Sequence, residues 1–257
     1  MLILLPPSEG KTRPTEGAPL DLTSLSFASL TPVRELLLRT LVKLSSGNPK
    51  RAAEVLGLGP TQASAVTINA ALTDEPAARA DEVYTGVLFT ALDLPSLAPD
   101  ARRRADESLA VASALFGLLR PSDRIPAYRL SGTITLPRLG PVAGRWRTTL
   151  PDVMAEATGD GLLIDLRSGT YTALGKPPAQ LADRTATMRV LHEHNGQRKV
   201  VSHFNKATKG RIVRGLLEAG ADPRTVDELQ SALADLGWTV ERVDNRLDVV
   251  VDEVATS

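Results

Sequence analysis

The sequence predicts a mixed α/β fold in a single domain spanning residues 1–257. Three observations predict it. Short continuous apolar runs at Leu2–Leu5, Leu109–Ser113 and Leu162–Ile164 have the form of strands buried on both faces. Stretches with helical spacing interleave with them, which is the pattern of strands and crossover helices. No repeat, low-complexity linker or sharp change of composition divides the chain.

The elements follow in order. Leu2–Leu5 is a strand that stops at Pro6-Pro7, and residues 8–30, rich in Pro, Gly, Ser and Thr, form a loop. Thr31-Pro32 starts a helix carrying Val33, Leu36, Leu37, Leu41 and Leu44 and ending at Gly47. Asn48-Pro49 starts a second helix that stops at Gly57, and a third follows Gly59-Pro60. Residues 101–108 are charged and helical, and Leu109–Ser113 is a central strand. Arg129–Leu136 alternates like a strand, and Arg147–Ala157 is helical. Thr187–His194 and Gln197–Phe204 flank Asn195-Gly196, the preferred type I′ hairpin turn. That register sets Glu193 opposite Arg198, His192 opposite Lys199 and Met188 opposite His203. A basic helix covers Asn205–Ala219. A last helix near 225–236 and two strands near 238–243 and 247–251 complete the chain.

Composition narrows the function. The chain has no Cys, which excludes a disulfide scaffold, cysteine-ligated metals and thiol catalysis. Lys plus Arg number 30 and Asp plus Glu number 30, so a protein basic all over is excluded while a local basic cleft is not. The opening MLILL lacks a basic start and is too short for a signal peptide or a membrane span, so a cytoplasmic location is expected. No cofactor and no metal site is expected; His192 and His194 share a strand face but lack a third ligand.

Four stretches can carry chemistry. Gly10-Lys11-Thr12 follows a strand, but the P-loop pattern needs Gly where Leu5 stands, and Pro14 and Pro19 forbid the helix that should follow. What survives is Lys11 on a loop at a strand end, where open α/β sheets bind ligands. Gly57 and Gly59, within a helical pair at about 48–72, have the form of a helix-hairpin-helix that lets a phosphate approach backbone N–H groups. An ordinary glycine-capped turn has the same form. Tyr84, Arg120, Asp123, Tyr128 and Arg129 sit near strand ends; Arg is a fork for phosphate, and Asp123 is either its partner or a base. Residues 189–214 hold seven Lys or Arg against Glu193 alone, a local charge of +6. Lys199, Lys206, Lys209 and Arg211 lie there, in the hairpin and helix at about 186–219. The choice is between an anionic partner and a solvated basic face.

The order MLIL-P, VYTG, F-G-L-L-R-P-x-D to Y-R-L, L-I-D-L, N-G-x-x-K-V-V-S and K-x-x-x-G-R resembles the peroxide stress protein YaaA family along nearly the whole chain. The resemblance implies a monomer of the YaaA-type fold with a helix-hairpin-helix and a positive cleft. It implies binding of DNA backbone with low sequence specificity, and protection against hydrogen peroxide by limiting free iron. Lys11, Tyr84, Arg120, Asp123, Tyr128, Arg129, Ser168, Tyr171, Lys206, Lys209 and Arg211 match family motif positions. Family members often carry Ala where this chain has Gly210. Phosphate binding alone does not need Asp123, Tyr84, Tyr128, Ser168 and Tyr171 gathered with cations. The alternative is therefore an enzyme acting on a small anionic substrate such as a nucleotide, with Asp123, Tyr128 and Lys206 as catalytic candidates.

Overall fold

The computed structural model describes residues 1–194, 197–200 and 202–252. Its centre is β1 (Leu2–Leu5), whose four residues are wholly buried because the sheet is covered on both faces. Two parallel neighbours flank it: β2 (Leu109–Ser113) on one side and β4 (Leu163–Asp165) on the other. β3 (Gly117–Leu119) closes the β2 edge antiparallel. Beyond β4 come β5 (Thr185–His194), then β8 (Arg246–Asp252), then β7 (Thr239–Val243), while β6 (Gln197–Lys199) pairs with the far end of β5.

The hairpin register is as expected, with Glu193 opposite Arg198 and His192 opposite Lys199. The second strand is shorter than the sequence suggests. A ladder running to Phe204 would place that residue beside Thr187, but Thr187 already pairs with Asp165 of β4 on that edge. The chain instead enters a helix at Ser202, so the expected pairing of Met188 with His203 does not form. The Asn195-Gly196 turn lies outside the described residues.

The expected strand at Arg129–Leu136 is reduced to Thr135–Leu136, paired with Gly140–Pro141. The reason is local. Asn69 donates from Nδ2 to the carbonyl of Arg129 and accepts from its N–H through Oδ1, both within 2.9 Å. A side chain thus satisfies the backbone that a neighbouring strand would have paired.

Helices α1 (Thr31–Ser45), α2 (Pro49–Val55) and α3 (Ser64–Ala70) follow the proline and cap signals; the Asn48 side chain accepts from the N–H of Arg51. Three short helices then lead to the second strand: α4 (Ala80–Val83), α5 (Val87–Leu92) and α6 (Pro99–Ser108). The helix expected at 147–157 begins three residues later, as α8 (Leu150–Thr158), and a turn at 147–149 separates it from an unexpected short helix, α7 (Val142–Trp146). Trp146 is wholly buried and donates from its indole to the carbonyl of Ala114. A single turn, α9 (Gly169–Thr172), precedes α10 (Ser202–Glu218) and α11 (Val226–Asp235). Among the described residues no helix is long and apolar enough to cross a membrane.

Candidate functional site

The carboxyl ends of β1, β2 and β4 meet at one edge of the sheet, the edge at which parallel strands present their loops. From β1 emerges the Pro6–Lys11 loop. It is fastened to the chain after α4: Lys11 forms a bridge with Tyr84, and Thr85 donates its N–H to Ser8 Oγ. From β2, Ser113 projects toward Tyr128, with 2.7 Å between their hydroxyl oxygens. Tyr128 in turn lies 2.8 Å from the Tyr84 hydroxyl. Ser113 Oγ also accepts from the N–H groups of Leu115 and Phe116, which anchors the three-hydroxyl chain to a tight turn. The chain has three tyrosines, and the third, Tyr171 on α9, is electrostatically coupled to Tyr128.

Lys11 is set into this aromatic cluster. Its Nζ stands 4.3 Å from the Tyr128 ring centre and 5.3 Å from that of Tyr84, and donates to the carbonyl of Ser8. Arg129 faces the same place, donating to the carbonyl and carboxylate of Glu9. Burial, with Arg129 nearby, pushes the Lys11 amine down to about 7 against the partial opposition of Glu9. Burial pushes the phenols of Tyr84, Tyr128 and Tyr171 the other way, well above their ordinary value.

These shifts predict a pH profile of stability. Between pH 7 and about 10, the unfolded chain holds a proton on Lys11 that the folded chain has lost. Stability therefore rises with pH in that window. Above about 10 the folded tyrosines keep protons that unfolded tyrosines release, so stability falls again. Thermal unfolding followed across pH should show a maximum near pH 9–10, and Lys11→Met should flatten the rising limb. A wild-type profile flat from pH 7 to 10 would contradict the placement of Lys11.

Beside the cluster opens a cavity of about 600 Å³ between the β1 loop and α10, lined by Ser8, Glu9, Gly10, Thr85, Ser168, Thr170, Tyr171, Asn205, Lys206 and Lys209 among others. Lys209 reaches the carbonyl of Leu166, and burial lowers its amine, opposed by Asp165. Asp165 is itself paired with Arg167, both buried, at 2.7 Å. Lys206 is exposed at the cavity rim. Asn205 Oδ1 is buried and accepts no hydrogen bond among the described residues.

The structure brings together Lys11, Tyr84, Tyr128, Arg129, Ser168, Tyr171, Lys206 and Lys209. It places other candidates elsewhere. Asp123 is buried and accepts from the N–H and hydroxyl of Ser26 and from the N–H of Arg120, so both its oxygens organise a turn. The Arg120 guanidinium donates to the carbonyl of Leu109 and lies over Phe27. Gly57 is left-handed at φ 62 just after α2, the position of a helix-ending glycine, whereas Gly59 is extended and open to solvent. Lys199 and Arg211 are exposed on β6 and α10. His192 is buried against Phe204, and among the described residues no three His, Asp or Glu are grouped as a metal site requires. Sequence reasoning missed Ser113, Asn205, Ser8 and Glu9. Ser113 carried a signal, as a polar residue closing an apolar strand, and so did Asn205, four positions before Lys209 on the same helix face.

Comparisons with known proteins agree along the chain. A family model described as peroxide stress protein YaaA matches residues 1–243. A UPF0246 protein of Streptomyces coelicolor is 51% identical over 99% of this chain and 100% of its own length. One from Corynebacterium efficiens is 43% identical over 97% and 98%, and one from Shewanella woodyi is 31% identical over 85% and 86%.

Proposed function

Since the chain belongs to the peroxide stress protein YaaA family, we propose that it acts in peroxide stress by binding DNA backbone along the basic flank of α10. One observation carries the reading. Between Glu193 and Glu218 the sequence has no acid, and the exposed Lys206 and Arg211 have no carboxylate within ion-pair reach among the described residues. Exposed, unneutralised cations attract phosphates without reading bases. Gly57 and the α2–α3 turn would add a backbone contact. Limiting intracellular free iron, which the family resemblance implies, is carried into the proposal on that resemblance alone.

The test is a salt titration of binding to duplex DNA. Affinity is expected to fall with a log–log slope of about −0.9 for each phosphate neutralised, hence about −3.6 if Lys199, Lys206, Lys209 and Arg211 all engage. A slope near zero would overturn the reading.

A second reading has its own support. The cavity is lined by both Lys209 and Asn205, and Asn205 Oδ1 is buried without a donor among the described residues. A buried acceptor without a donor is destabilising unless a ligand or water supplies one. A small molecule bearing both an anionic group and an N–H, such as a nucleotide, fits that pair. Thermal stabilisation by a nucleotide panel, lost in Asn205→Leu, is the expected result.

A further inference from the structure

We propose that the start of α10 and strand β6 form a platform for unpaired DNA, on which Phe204 stacks against a base while Lys199 and Arg211 hold the phosphates on either side. This rests on the proposed binding of DNA by α10, and deepens it by naming unpaired nucleotides as what the helix recognises beyond phosphate.

Three observations converge. First, Phe204 lies where the other rings do not. The chain has four Phe, two Trp and three Tyr, and of these Phe204 alone is exposed, at 40%. Leaving a ring in water forgoes the stabilisation that its burial would give. Second, the ring is supported from below. It packs on the buried His192, with 5.1 Å between ring centres. That contact fixes its position without covering it. Third, cations flank it. Lys199 stands directly opposite His192 across the β5–β6 ladder, and residues so paired project from the same face. Lys199 and Phe204 are therefore both neighbours of His192. Arg211 follows Phe204 by seven residues, nearly two turns of α10, which puts it on the same stripe of the helix about 10 Å further along. Lys199 and Arg211 are exposed, and neither has an ion-pair partner among the described residues. Two acids of the sheet, Glu193 and Glu241, are both held by Arg198, whose side chain leaves the opposite face of β6 from Lys199.

The form of the DNA follows from the ring. In an intact duplex the bases are stacked on one another, and the phosphates call only for cations. Phe204 adds nothing to such a contact. An unpaired base offers a free π face, and an aromatic side chain among cations is the surface on which such bases stack, irrespective of sequence. Phe204 does not line the cavity beside Lys206 and Lys209, so the platform is separate from the place given to a small anionic ligand.

The experiment uses the full chain and fluorescence anisotropy, with a thymine oligonucleotide and a duplex of the same length as probes. Phe204→Ala is expected to weaken binding of the oligonucleotide about 10-fold, the loss of one stacked base. Its duplex affinity should equal that of wild type, which also shows that the variant is folded. Phe204→Trp should restore binding of the oligonucleotide. Since Phe204→Ala removes no charge, its salt slopes should match wild type for both probes. Lys199→Gln with Arg211→Gln should instead make the oligonucleotide slope shallower by about 1.4, two phosphate contacts at about 0.7 each. 2-Aminopurine in the unpaired strand should be quenched by wild type and not by Phe204→Ala. Salt-dependent duplex binding, with the oligonucleotide bound equally by wild type and Phe204→Ala, would overturn the platform and leave DNA binding by α10 standing. An equal loss for both probes would likewise overturn it. Absence of binding to either probe would overturn both readings.

Discussion

Gly210→Ala should destabilise the protein by about 3 kcal/mol, at the upper end of the usual cost of overpacking. A β-carbon built at Gly210 would stand 2.4 Å from the carbonyl oxygen of Leu88, 2.9 Å from the Cβ of Ala91 and 3.0 Å from the nitrogen of Leu92. Two of these three atoms are backbone, and none is the end of a flexible side chain. Relief therefore requires α10 to move off α5. Gly210 is the face on which α10 lies against α5, so its bare backbone fixes how close Lys206 and Lys209 stand to the Pro6–Lys11 loop. A shift of even part of an ångström would widen the cavity they line. Urea unfolding should show a lower midpoint with an unchanged m-value, and the melting temperature should fall by roughly 6–12 °C for a chain of this size. A midpoint equal to wild type would mean that the two helices are not in contact there.

Gly210 also marks the boundary of what a sequence can disclose. A helix with the cations of α10 is legible from spacing and composition, because periodicity and charge are local properties. The need for a glycine is not, because the clash involves Leu88, more than a hundred positions away in the chain. The same division runs through the site. β1, β2 and β4 were legible as uninterrupted apolar runs, and their parallel alignment makes the loop at Lys11 a binding edge. That Ser113, Tyr128 and Tyr84 form one chain of hydroxyls was not legible, since it depends on how the segment after β3 folds back over β2. Asp123 shows the reverse error. An acid between Arg120 and Tyr128 reads as a catalytic candidate, yet its two oxygens take three donors from nearby turns. The hairpin strand past Lys199 fails for a related reason: propensity favoured extension, and an edge already occupied by β4 forbade it.

Reversing charge at the cleft, Lys206→Glu with Lys209→Glu, should lower duplex DNA affinity by about 100-fold at roughly 0.1 M salt. Losing one phosphate contact with a log–log slope near −0.9 costs close to a factor of 8 at that ionic strength, and two such losses multiply; repulsion adds to this. The slope itself should become shallower by about 1.8. The two positions are not equivalent. Lys206 is exposed, so its reversal alone should leave the melting temperature unchanged and isolates the electrostatic effect. Lys209 is half-buried, donates to Leu166 and lies near Asp165, so a glutamate there meets a like charge as well. The single Lys206→Glu variant is therefore the cleaner comparison, with a loss near 10-fold and a slope shallower by about 0.9. A variant that binds DNA as wild type does, at every salt concentration, would remove α10 from the interface. If the same variant still lost stabilisation by nucleotides, the cations of α10 would belong to the cavity, and the small anionic ligand would be the occupant that the neutral total charge of the chain leaves room for.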